Sequence, residues 1–220
     1  MKSFHEEWEE IHRENDWGRY PSETVIRFVA RNYYKGRRDE IKILDFGCGG
    51  GANTWYLARE GFDVWAFDGS PSAVKKAEDY LAGEGYQNVH FDVLDGAALT
   101  YEDDFFDCVI DNVCIYANTK ECIGEMYREC HRVLKTGGRI FTSVFGIETD
   151  GYETGERIEP GTYREITTGV LSGRAVAHFF EKEEFKNTLQ TAGFQKIEMD
   201  EMYYTDNGVR VSMFIAKAEK

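Results

Sequence analysis

Four glycines and a cysteine fill positions 47–51, directly after the apolar run Ile43-Leu44-Asp45-Phe46. Glycines let a backbone turn tightly and approach a ligand closely. The helix that begins at Ala52 would aim its unpaired N–H groups at an electronegative ligand group. A second acidic residue, Asp68, closes the next apolar run, where a carboxylate suits ribose hydroxyls. The combination points to a nucleoside-containing ligand. It does not say which one, because Gly47-x-Gly49-x-x-Ala52 also satisfies a dinucleotide fingerprint. A plain turn is the bland alternative, and so many glycines and alanines at a strand–helix junction argue against it. A second group of residues has the types for acceptor chemistry. His178, expected at the mouth of the site as a base, and Tyr116 are candidate proton-handling groups, with Phe179 and Phe180 next to the histidine. Trp17, Tyr20 and Tyr163 are aromatics able to face a cation.

These residues are positioned by a regular alternation. Strands are expected over Ile41–Phe46, Asp63–Phe67, Asn88–Val93, Phe106–Asp111 and Arg139–Phe145. Helices are expected over Ala52–Glu60, from Pro71 to about Ala82 behind a Ser70 cap, and over Lys120–Leu134, where Thr136-Gly137-Gly138 reads as a glycine stop. Such alternation indicates a parallel sheet with helices on both faces. A last helix, Glu181–Ala192, precedes two strands, Phe194–Asp200 and Val209–Ala216, that form an antiparallel end. Ahead of the sheet lie a short amphipathic helix over 4–15 and a second helix capped by Ser22. Residues 1–37 read as a helical cap on a single domain spanning 1–220. The polar stretch 148–177, extended to 180, is too long for a simple connection and reads as a substrate-side insertion or lid.

Composition narrows the partners. The chain has 220 residues, a formal charge of -14 and a pI near 4.8. Nucleic-acid binders normally present a basic face, and no Lys/Arg cluster here exceeds pairs such as Arg37-Arg38. No apolar run reaches the ~20 residues that cross a bilayer, and the acidic N-terminus lacks the apolar core of a signal peptide. The expectation is a cytoplasmic protein without nucleic-acid or membrane partners; its oligomeric state is not legible. The five cysteines form no CxxC pair, so neither a zinc site nor a disulfide framework is expected, and no metal is assigned.

Four segments together resemble the class I S-adenosylmethionine (SAM) dependent methyltransferases, within the broad type 11 small-molecule group. LDFGCGGG (44–51) looks like the SAM loop and FDGS (67–70) like the ribose-binding strand end. LDGAALTY with FFDCVIDN (94–101 and 105–112) looks like the adenine-side loop and fourth strand. RVLKTGGRI (132–140) is highly characteristic of the family and has no counterpart in the dinucleotide fingerprint. The resemblance implies a Rossmann-like, doubly wound, mostly parallel seven-stranded α/β sheet with an antiparallel edge, and SAM as cofactor.

It also implies roles. Gly47, Cys48 and Gly49 would meet the methionine part, with Asp45 orienting the loop or reaching the ammonium through water. Asp68 would take the ribose hydroxyls, and Gly69 and Ser70 would lie beside the adenine. Asp95, with Gly96 nearby, would accept from the adenine amino group; Asp92 is the rival if the register slips. Asp111 and Asn112 would face the methionine part. Trp8 with Trp17-Gly18-Arg19-Tyr20-Pro21-Ser22 is similar to thiopurine and tellurite-type methyltransferases, where this region caps the pocket. The implied function is methyl transfer to a small molecule. A protein or RNA acceptor, and less so a NAD-dependent oxidoreductase, remain as alternatives.

Overall fold

The computed structural model describes residues 3–220. Two helices, α1 (Glu6–Glu14) and α2 (Glu23–Tyr33), precede a βα series. This runs β1 (Lys42–Phe46), α3 (Ala52–Arg59), β2 (Asp63–Asp68), α4 (Pro71–Gly83), β3 (Val89–Val93), β4 (Phe106–Asn112), α5 (Lys120–Val133) and β5 (Leu134–Phe145). Three short strands follow, β6 (Glu156–Glu159), β7 (Thr162–Arg164) and β8 (Ala177–His178). The chain ends with α6 (Lys182–Thr191), β9 (Gln195–Asp206) and β10 (Val209–Glu219). Seven strands form one sheet in the order β3-β2-β1-β4-β5-β10-β9. The five strands from β3 to β5 are parallel, while β10 and β9 pair antiparallel at the edge. The fold is therefore the Rossmann-like, doubly wound architecture.

Burial on both faces explains why the central strands read as continuous apolar runs. Ile43, Cys108, Ile110 and Phe141 pack under α2 and α3 with Phe28 and Leu57. Leu44, Val109, Ile140 and Val144 face the opposite layer, with Tyr127 of α5 and Phe185 of α6. Local chemistry sets the helix starts. Ser22 Oγ accepts from Val25 N–H, and Ser70 Oγ from Ala73 N–H with Pro71 at the first helical position. Each cap contributes about 1 kcal/mol.

Three local expectations change. Helix α5 ends at Val133, because Leu134 is extended and pairs with Phe106. The next pair is Cys108 with Arg139, so Lys135–Gly138 bulge out of the ladder and the glycines shape that bulge, not a helix stop. Residues 148–178 contain β6, β7 and β8, which form a separate three-stranded sheet. The β9 strand runs on to Asp206 and reverses through Asn207 and Gly208, both with positive φ, as a tight hairpin requires.

Strand order reverses at β1, between β2 and β4. Open α/β sheets bind ligands at the carboxyl end of such a switch point.

Candidate functional site

A cavity of about 350 Å³ opens at that point. Its floor is the turn from β1 into α3. Gly47 has φ +69°, and a Cβ there would overlap the Cys114 side chain, so only glycine fits. Gly51, also at positive φ, would put a Cβ 3.0 Å from Ala77 Cβ; it serves α3–α4 packing and does not line the cavity. Gly47, Cys48 and Gly49 do line it. Asp45 lies beneath the loop, fully buried, and accepts from Thr54 Oγ1 at 2.5 Å. Burial pushes its carboxyl up to about 6. It ties the first turn of α3 to β1 and does not reach the cavity wall.

Asp68 ends β2 with its carboxylate on the cavity wall. Its Oδ2 accepts from Gly49 N–H and its Oδ1 from Ser70 N–H, both at 2.9 Å. Those two bonds fix the plane of the carboxylate and leave lone pairs for a ligand. Burial raises its pKa, while the nearby His12 and the backbone N–H groups oppose the rise. Gly69 and Gly96 line the cavity, both crowded: a Cβ would overlap Phe4 at Gly69 and lie 2.7 Å from the Phe46 ring at Gly96.

Other sequence-derived candidates are placed differently. Ser70 is buried as the α4 cap, its hydroxyl bonded to Glu9, and is absent from the wall. Asp95 also lies off this cavity. Its carboxylate is held by Ser3 N–H at 2.8 Å, Ser3 Oγ at 2.5 Å and Ala97 N–H at 2.9 Å. The N-terminal segment thus occupies the group expected to meet adenine. Asp92, its rival, accepts from Tyr101 Oη at 2.9 Å. Asp111 is fully buried and pushed up to about 6 by burial. It accepts from Thr142 Oγ1 and from the N–H groups of Cys114 and Ile115, so it shapes the turn after β4. Asn112 lines the cavity and accepts from Ser22 and Ser143 hydroxyls at 3.3 Å.

The roof comes from α1, the loop after it, and residues 170–174. Trp17 and Tyr20 contribute to it despite being exposed on their outer sides. His12, unremarked in the sequence, lines the cavity beside Gly49. Trp17 Nε1–H donates to His12 Nδ1 at 3.0 Å, so a neutral His12 carries its proton on Nε2. Burial lowers its pKa, against the pull of Asp68 and Glu9. The signal for His12 was its place one helical turn after Trp8, on the same face of α1. Glu9 pins this helix by accepting from both hydroxyls of Ser70 and Ser72 and from Ser72 N–H at 3.2 Å, at the N-terminus of α4. Lys76 holds the following loop at Asp16 and Asn15, at 3.0 Å each. Arg174, with no local sequence signal, completes the roof.

His178 does not reach the cavity. It is fully buried, with Nδ1 2.8 Å from Thr162 Oγ1 and Nε2 3.4 Å from Glu184. The reading of His178 as a base at the active-site mouth is corrected: its neighbours belong to β7 and α6. Tyr163 is likewise interior, edge-on to Tyr152 and Phe179. Tyr116 does line the cavity, and burial pushes its phenol well above the usual range. It stays protonated near neutral pH and can donate a hydrogen bond.

The donor set suits SAM. An oriented carboxylate at the end of β2 matches a ribose diol, and the glycine turn lets a ligand lie against backbone. Asn53, on the wall beside that turn, has a buried Oδ1 without a partner, ready for a donor such as the methionine ammonium. Among the described residues, no group of three His, Cys, Asp or Glu is arranged to hold a metal ion, and no helix is long and apolar enough to cross a membrane.

Comparison with known proteins agrees. Residues 43–138 match a family model described as a methyltransferase domain. The chain is 32% identical over 125 residues to a 2-heptyl-1-hydroxyquinolin-4(1H)-one methyltransferase of Mycobacteroides abscessus, covering 57% of this chain and 53% of that one. It spans about half the length of the curated relatives it matches. In fold it is similar to a SAM-dependent methyltransferase of Methanosarcina mazei, with a TM-score of 0.72 at 23% identity over 91% of this chain and 98% of the other. It is also similar to the 1,6-didemethyltoxoflavin-N1-methyltransferase of Burkholderia thailandensis, solved with 1,6-didemethyltoxoflavin and S-adenosylhomocysteine. There the TM-score is 0.66 at 21% identity, over 90% of this chain and 77% of that one.

Proposed function

From the class I SAM-dependent methyltransferase domain that this chain carries, we propose that the protein moves a methyl group from SAM to a small-molecule acceptor. The observation that carries this reading is Asp68, oriented by Gly49 and Ser70 at the switch point beside the glycine turn. Gly47, Cys48, Gly49, Asn53, Asp68, Gly69, Gly96 and Asn112 would hold the cofactor. Bound SAM supplies a methyl on a positive sulfonium, open to in-line displacement by a nucleophilic atom. The chain's own task is alignment and exclusion of water, which can lower a barrier by ~7–11 kcal/mol in favourable systems.

The roof serves that task. Residues 3–21 and 170–174 act as a cap over the floor, and Trp8, Trp17, Tyr116 and Phe145 give the acceptor space an aromatic wall. His12 is the one histidine on that wall, and its Nδ1 is engaged by Trp17. It therefore acts as a hydrogen-bond donor through Nε2, and with Tyr116 orients ligand atoms without abstracting a proton. Acceptors with an available lone pair, or already ionised, suit such a site. An enclosed aromatic space, the quinolone named for one relative and the toxoflavin precursor bound in one neighbour all favour a small acceptor.

The test is incubation with methyl-labelled SAM and a cell extract separated into low-mass metabolite, protein and RNA fractions. Label entering the low-mass fraction is expected. Label confined to protein or RNA, or absent throughout, would overturn the proposal.

A further inference from the structure

One cation faces the cavity without a counter-ion. Among the residues lining it, Arg174 is the one Lys or Arg and Asp68 the one Asp or Glu. Asp68 is committed to the floor. Arg174 lies in the roof, half-buried, with its guanidinium 4.3 Å from the centre of the Trp17 ring. Among the described residues it makes no ion pair and its side chain no hydrogen bond. That isolation is unusual here. The chain has 40 Asp and Glu against 26 Lys and Arg, and the other half-buried arginines are paired: Arg38 with Glu60, Arg132 with Glu129 and Arg139 with Glu219.

A partly buried charge without a partner carries a desolvation cost that a ligand of opposite sign would offset. Over the Trp17 ring and with no other side-chain partner among the described residues, the guanidinium keeps its N–H donors free, and a planar oxyanion suits them. The same cavity is lined by Trp17, Val170, Leu171, Tyr116 and Phe145, which would cover an apolar body. The Arg174 charge is felt by Tyr116 of the aromatic wall and by His12 beside the glycine turn.

We propose that Arg174 is the specificity-determining residue that receives an anionic oxygen group, such as a carboxylate or phenolate, on an otherwise apolar methyl acceptor. This rests on the methyltransferase reading above. The carboxylate of SAM itself is the other source of the same chemistry, and the test separates the two.

The low-mass extract is split on an anion exchanger into retained and unretained pools, and each is offered to the protein with methyl-labelled SAM. Label is expected in the retained pool. The Arg174→Gln variant should lower it at least about tenfold, with Arg174→Lys restoring part, while S-adenosylhomocysteine affinity measured by calorimetry stays within about twofold. Label only in the unretained pool, or undiminished by Arg174→Gln, would overturn the assignment. So would a tenfold loss of S-adenosylhomocysteine affinity with unchanged affinity for 5′-methylthioadenosine, which lacks the carboxylate, since the cation would then serve the cofactor. If neither pool takes label, the methyltransferase reading fails first and this assignment falls with it.

Discussion

The floor and the roof of the cavity are built in opposite ways. The floor is made by backbone that continues directly out of β1 and β2, with its one carboxylate locked by two N–H groups. The roof is made by segments distant in sequence, held down by side chains: Glu9 on Ser70 and Ser72, Ser3 on Asp95, Trp17 on His12. A backbone-built surface is preorganised whether or not a ligand is present. A surface pinned by a few polar contacts can open at modest cost and reclose. The difference teaches that affinity for the nucleoside should live in the floor, and residence time and acceptor choice in the roof.

The most damaging change should therefore be in the floor. Gly47→Val would force a β-branched residue to positive φ against Cys114. S-adenosylhomocysteine affinity is expected to fall by at least about 100-fold, on the order of 3 kcal/mol, as read by calorimetry on a variant whose circular dichroism shows the fold retained. Tight binding by that variant would break the comparison outright. Asp68→Asn keeps an acceptor but removes the charge, and should cost about 2 kcal/mol, or roughly 30-fold in affinity. The roof should respond more weakly and kinetically. Glu9→Ala removes the anchor at α4, and should raise the dissociation rate of S-adenosylhomocysteine by about fivefold with little change in association, measured by stopped-flow tryptophan fluorescence. A floor-sized loss of affinity instead would mean that the N-terminal segment is part of the floor.

The smallest effect concerns the base of the insertion. Burial tends to raise Glu184, but His178 and Lys120 outweigh it and hold its carboxyl at about 2. A carboxyl whose folded pKa lies below its unfolded value stabilises the fold above the unfolded pKa, and that stability is lost as pH falls through the folded value. Glu184→Gln should lower the melting temperature at pH 6, and the gap to the parent should close as pH falls from about 4.5 towards 2. A constant gap would remove the electrostatic role given to the His178–Glu184–Lys120 group.

The same division explains what was legible in the sequence. The floor could be read because its signals are local: glycines at a strand–helix junction, an aspartate at a strand end, Pro71 behind a serine cap. The seven strands followed from patterning, for the same reason. The bulge at Lys135–Gly138 was misread because a glycine pair near a helix end looks the same whether it caps the helix or lets a strand start early. Roof residues depend on tertiary placement. His178, beside a long insertion, looked like a mouth residue, yet its contacts are Thr162 and Glu184. His12 was visible only as a helical neighbour of Trp8. Arg174 had no local signal, because its meaning comes from Trp17, over 150 positions earlier. Asp95 was found in the sequence, but not that Ser3 would hold it.

The central claim is that the floor is a site for the nucleoside of SAM, and calorimetric titration of the intact protein tests it most directly. S-adenosylhomocysteine should bind with one-to-one stoichiometry, Asp68→Asn should weaken it, and NAD should give no saturable heat. Saturable binding of NAD, with no response to SAM or S-adenosylhomocysteine, would contradict it.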